Sequence, residues 1–253
     1  MKGDYPRFKA TYAHEELVEH FLLSPAEQAL IATCRGDVTR HGMAVLLKSV
    51  QYLGYFPDDF RQVPQDVKTF IAHQLHLLWD CTEHYPWRSG THDAHLALIR
   101  QHTAFRYPTG QDKRELEQWL RTQGAQDAPT EDELQECAYT RLRTLAIELP
   151  AEQELQRIVR AALHGFFQDL YARITTYLSE EVRTALDQLL LVMPGETQSR
   201  FEQLKAEPSA PGVKHLQEEI TRLETLRALG VPAEALAVVP WKVLQTLKRR
   251  AYK

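Results

Sequence analysis

The chain has 253 residues, 34 acidic against 30 basic side chains, a formal charge of −4 and 43% hydrophobic residues. That apolar content is ample for real cores and excludes a disordered chain, while the slight acidity counts against a uniformly phosphate-binding surface and leaves open a local cationic one. No apolar run approaches the roughly eighteen residues of a membrane span, and the start, MKGDYPRFKATYAHEEL, lacks the charged-then-apolar pattern of a signal peptide, so a soluble cytoplasmic chain is expected.

Residues 1–23 read as an arm and a short helix. Lys2, Arg7 and Lys9 alternate with Tyr5, Phe8 and Tyr12, which suits either a frayed terminus or an arm touching phosphates or a minor groove; Leu17, Phe21 and Leu22 then form the apolar side of a helix. Ser24, Pro25 and Glu27 make a capping box with proline at the first helical position, so a helix is predicted from there. Gly36 suits its end. A second helix from about Thr39 carries the stripe Met43, Leu46, Leu47 and Val50 and stops before Gly54 and Pro57. The opposite face of that helix then shows His41, Ala44, Lys48 and Tyr52, flanked by Arg40. Such a face suits a DNA major groove, where a small alanine permits close approach, or is an ordinary solvated surface. A third helix from Pro64, buried through Val67, Phe70, Ile71 and Leu75, completes a helix-turn-helix-like domain over 24–85.

The segment 86–125 reads as a second such unit: a helix through Leu96, Ile99 and Thr103, a turn through Phe105 to Gly110, and a helix through Leu116, Trp119 and Leu120. Arg100, His102, Arg106, Lys113 and Arg114 are its candidate phosphate contacts, or the cations of a solvated helical hairpin. Over 126–253 the pattern is a helical bundle. Thr130 and Glu133 open one helix; a long one follows through Leu155, Ile158, Val159, Ala162, Leu163, Phe166, Leu170 and Ile174, with Arg157, Arg160, His164 and Arg173 either lining a basic groove or lying on a solvated face. EPSAPG is a turn, and Lys248, Arg249 and Arg250 close the last helix, where cations favour the macrodipole. No alternating strand pattern occurs, so the class is all-α: two small helix-turn-helix-like bundles followed by a long-helix bundle.

The chemistry of a catalyst is missing from this pattern. There is no P-loop, nucleotide-binding glycine fingerprint, HExxH or GxSxG, and no pair of carboxylates stands out for acid/base or two-metal work. His73/His76 and His92/His95 lie three apart on predicted helices, yet no carboxylate or cysteine completes a recognised zinc pattern. Cys34, Cys81 and Cys137 are far apart without CxxC spacing and read as reduced thiols. No cofactor and no metal is implied.

One family matches these motifs. Arg35-Gly36, Arg40-His41-Gly42 and Tyr52-Leu53-Gly54 resemble the helix, Arg-Gly turn, Arg-(Leu/His)-Gly and Tyr-Leu-Gly hallmark at the start of Tn-three-family (class II replicative) transposases. His95 to Leu120 is similar to that family's second block, and LDQLLLV, LKAEPSAPGVKHLQEEITRLETLRALGVP and VVPWKVLQTLKRRA look like its later helical blocks, in order. The resemblance implies an amino-terminal region that binds the double-stranded terminal inverted repeats of a transposon without cutting them. Strand transfer in the family belongs to a carboxylate triad in a domain further downstream, so this chain is not expected to be an enzyme and Lys253 reads as a cut. The residues it implies as DNA contacts are Arg35, Arg40, His41 and Lys48 in the first motif and Arg100, Arg106 and Lys113 in the second; His41 stands where the family more often has leucine. A homodimer through the full-length protein and a place at the bacterial nucleoid follow from the same resemblance. The alternative is an all-helical interaction module descended from a transposase that no longer binds DNA.

Overall fold

The computed structural model describes residues 5–78, 80–127, 130–205 and 213–251; the expected EPSAPG turn, Lys2 of the arm and the side chain of Arg250 lie outside the described residues. In chain order the helices are α1 (His14–Phe21), α2 (Pro25–Ala32), α3 (Asp37–Leu53), α4 (Gln65–Gln74), α5 (Gly90–Thr103) and α6 (Gly110–Trp119). A π-helical turn over Leu120–Gly124 then runs into the short α7 (Ala125–Asp127). After it come α8 (Glu131–Thr144), α9 (Glu152–Thr175), α10 (Glu180–Leu190), α11 (Arg200–Lys205), α12 (Val213–Ala228), α13 (Ala233–Ala237) and α14 (Trp241–Ala251). The fold is all-α. Among the described residues there is no strand, only one isolated parallel bridge between Arg106 and Ile147.

The chain divides into two compact units, Met1–Leu116 with Gln135–Ile158, and Glu117–Leu134 with Val159–Lys253. Residues up to Leu116 thus share one unit, whereas the sequence reading parts 24–85 from 86–125.

The first unit is organised around α3. The capping box holds as expected: Ser24 Oγ accepts from the Glu27 amide at 3.3 Å and a Glu27 carboxylate oxygen accepts from the Ser24 amide at 2.7 Å. Gly36 (φ +87°) precedes α3 and Gly54 (φ +84°) ends it, both in backbone conformations that β-carbons disfavour. Between them every residue from His41 to Val50 is buried, so the apolar stripe and the face opposite it are both inside. Phe21 of α1, Ile31 of α2, Val67 and Ile71 of α4 and Ile99 of α5 close around the helix. A helix enclosed on all sides marks the centre of its unit, not a surface for a ligand.

The amino-terminal segment is packed, which corrects the arm reading. Tyr5 is buried and its hydroxyl donates to the Pro150 carbonyl at 3.0 Å; Tyr55 donates to the Pro6 carbonyl at 2.9 Å. Tyr12 meets the Phe21 ring edge-on at 5.3 Å, and Arg7 and Lys9 are paired with Glu152 and Glu16.

In the second unit Val159, Ala162, Phe166 and Leu170 form the buried stripe of α9, as its spacing predicts. Arg121 binds Asp169 with two hydrogen bonds of 2.6 and 2.7 Å, and Arg160 binds Glu131 at 2.7 Å. Leu120, Ala125, Leu134, Ala235 and Val243 complete the core. No described helix is long and apolar enough to cross a membrane.

Candidate nucleic-acid interface

Of the seven residues expected to touch DNA, the structure leaves two free to do so. Arg35 and Arg40 flank the turn from α2 to α3, both exposed, and neither forms an ion pair among the described residues. The Arg40 Nε donates to the Cys34 carbonyl at 3.2 Å, and the Thr39 hydroxyl lies 2.6 Å from the Arg35 carbonyl and 2.9 Å from that of Gly36. These bonds fix the turn. No side chain caps the first amides of α3, and a β-carbon on Gly36 would meet nothing within 4 Å, so the helix end opens onto free space. A 17-residue helix carries about half a positive charge at such an end, with orphan N–H donors directed outward. Asp37 in the first turn offsets part of that charge, and the two guanidinium groups add to it.

His41 and Lys48 are corrections. His41 has no exposed surface: its Nε2–H donates to the Lys68 carbonyl at 2.9 Å, and its Nδ1 accepts from the Cys81 amide at 3.2 Å. Burial pushes its pKa down, so the imidazole is neutral and structural. Lys48 lies beneath the surface with its ammonium 3.0 Å from Glu27 Oε1, 2.9 Å from Oε2 and 3.0 Å from the Gln51 side-chain oxygen. Ala44, which was to allow close approach of a groove, is fully buried. The major-groove face drawn from helical spacing is therefore interior.

The second motif is corrected in a different way, because its cations are already satisfied. Arg100 grips Glu148 through Nε and Nη2 at 2.5 and 3.1 Å and lies 5.2 Å from the Phe56 ring centroid. Arg106 forms a fork with Asp112 at 2.5 and 2.6 Å, and the Asp112 carboxyl is held well below its usual range by that guanidinium and by the Thr109 hydroxyl. Lys113 reaches both oxygens of Glu154, at 2.8 and 2.9 Å. The Arg100 and Lys113 pairs tie α5 and α6 to Glu148 and Glu154, while the Arg106–Asp112 pair closes the turn before α6; the three act as struts. A groove of about 980 Å³ opens beside Arg100; its Arg7 and Arg100 are bound to Glu152 and Glu148, and Arg88 also lines it.

Among the described residues no three His, Cys, Asp or Glu side chains gather as a metal site. The sequence reading did not anticipate that His95 turns inward to meet Tyr85 and Cys34. The sign of it in the sequence was Gly42: a β-carbon there would lie 2.1 Å from the Tyr85 ring, so that glycine makes room for the tyrosine.

Residues 2–162 match the domain of unknown function DUF4158, and the chain belongs to that family. It is 27% identical over 221 residues to the transposase for transposon Tn3926 of Escherichia coli and to that for transposon Tn501 of Pseudomonas aeruginosa, covering 87% of this chain and 22% of each relative. To the transposase for transposon gamma-delta of Escherichia coli (strain K12) it is 25% identical over 256 residues, covering 99% of this chain and 25% of the relative. These likenesses put the chain with the amino-terminal region of Tn3-family transposases. It spans about a fifth to a quarter of the length of the relatives it matches.

Proposed function

We propose that this chain recognises double-stranded DNA at the terminal inverted repeats of a transposon, as the DNA-docking part of a transposase and without cutting strands itself. The observation that carries this reading is the uncapped amino terminus of α3 set between Arg35 and Arg40, both exposed and in no ion pair among the described residues. A helix end with orphan amides is a phosphate site, and two guanidinium groups beside it supply charge and forked hydrogen bonds. In this reading α3 meets the duplex end-on, at the backbone. Base discrimination then comes from elements that the phosphate contact positions. The similarity to transposases, which extends over most of the chain, supports DNA as the partner.

The test is a binding isotherm by fluorescence anisotropy with a terminal-repeat duplex and a shuffled duplex of equal length. Tighter binding to the repeat supports the reading. Equal, salt-insensitive and weak binding to both supports an interaction module instead, which two observations favour: five of the seven expected contacts are buried or paired, and α12 exposes the apolar series Leu216, Ile220, Leu223 and Leu226.

A further inference from the structure

Three soft or borderline donors converge under the α2–α3 turn. The Cys34 Sγ lies 3.0 Å from the Met43 Sδ and 3.5 Å from the His95 Nε2, and the three residues are 8%, 0% and 5% exposed. They come from three separate elements: the turn after α2, the buried side of α3, and α5. We propose that Cys34, Met43 and His95 form a binding site for a soft monovalent cation, Cu(I) by its chemistry.

The orientation of the ligands supports this. The other ring nitrogen of His95, Nδ1, is 2.7 Å from the buried Tyr85 hydroxyl. If Nδ1–H donates to that oxygen, Nε2 presents its lone pair to the Cys34 side, the arrangement by which an outer partner fixes the tautomer of a ligating histidine. Tyr85 is held in turn by Phe60 and Trp87, with centroids at 5.2 and 5.4 Å, and by the space above Gly42. Residues from three parts of the chain, Gly42, Phe60 and Tyr85 with Trp87, thus fix one imidazole.

The choice of ion follows from charge and donor type. Thiolate and thioether select Cu(I), and imidazole also suits copper. A cysteine thiol is ordinarily protonated at neutral pH. Binding replaces its proton, Cys–SH + Cu⁺ giving Cys–S–Cu + H⁺, with no change of oxidation state. One thiolate then balances one monovalent charge and the buried site stays neutral. A divalent ion would leave an uncompensated positive charge in an apolar interior, which is costly.

The experiment is an anaerobic titration of the whole chain with Cu(I) buffered by bicinchoninate, with Ag(I) as a redox-inert probe. Stoichiometry, sulfur-to-copper charge-transfer absorption and X-ray absorption are recorded. The expected result is one ion per chain with two sulfur ligands and one nitrogen. C34S should abolish it, the nearly isosteric M43L and Y85F, which removes the hydroxyl against His95 Nδ1, should each weaken it by about tenfold or more, and C81S/C137S should keep it. Circular dichroism checks that the variants fold. The proposal is overturned if no ion binds in the presence of the competitor, or if C34S and M43L bind as the wild type does.

Discussion

The ammonium of Lys48 sits 2.9 Å from a carboxylate oxygen of Glu27, and both side chains are more than nine-tenths out of water. Glu27 also accepts hydrogen bonds from the Ser24 amide and the Gln51 side chain, each at 2.7 Å. Although burial alone would raise its pKa, these donors bring it below the usual value. One residue thereby caps α2 and anchors α2 to α3. Removing either partner leaves an uncompensated buried charge, so Lys48→Met alone should lose about 3–5 kcal/mol of stability in urea denaturation. The double variant Glu27→Leu/Lys48→Met should recover most of that loss. A Lys48→Met protein as stable as wild type would mean that the lysine is solvated after all.

Gly42 carries a different kind of constraint. A β-carbon there would fall 2.1, 2.4 and 2.9 Å from three ring atoms of Tyr85, which is itself buried between Phe60 and Trp87. Gly42→Ala should therefore cost about 1–3 kcal/mol by overpacking, despite alanine's better helix propensity. Tyr85→Leu should partly rescue it. Thermal melts of the single and double variants provide the check, and a stabilised Gly42→Ala would contradict the packing described.

Two pH windows follow from the buried ionisable groups. Burial pushes the pKa values of His41, His92 and His95 below that of a free imidazole. The unfolded chain thus takes up these protons first, so stability should begin to fall as the pH drops below about 6.5. Asp80 behaves as a carboxylate stabilised in its charged form: burial would raise its pKa, but the Thr82 hydroxyl and amide and Lys68 bring it down to about 2. Its contribution is present above the unfolded value near 4 and is lost as the pH falls to about 2. Asp80→Asn should remove about 2 kcal/mol at neutral pH and flatten the acid limb of a urea-midpoint profile between pH 4 and 2. An unchanged limb would place the lost protons elsewhere.

The same residues show what sequence can and cannot disclose. Local rules read the capping box at Ser24, the glycine end of α3 at Gly54, and the stripe of Met43, Leu46, Leu47 and Val50, because each depends on neighbours within a turn or two; Gly36, read as the end of α2, instead precedes α3, since α2 already stops at Ala32. The opposite face of α3 was misread because its partners come from 21 to 40 residues away: the Glu27 carboxylate, the Lys68 carbonyl and the Cys81 amide. Helical spacing says which residues share a face, but not whether a second layer covers it. Arg100 and Lys113 were misjudged for the same reason, since Glu148 and Glu154 lie 48 and 41 residues further on. Arg35 and Arg40 survive as candidates because their surroundings are local.

The central claim is that the cationic end of α3 touches DNA phosphates, and the salt dependence of binding tests it most directly. The slope of log K against log salt should be measured for wild type and for Arg35→Gln/Arg40→Gln on the same terminal-repeat duplex. Two lost phosphate contacts should make the slope shallower by about 1.8, at roughly 0.9 per contact, with the fold unchanged by circular dichroism. A double variant that keeps the wild-type slope and affinity would contradict the account.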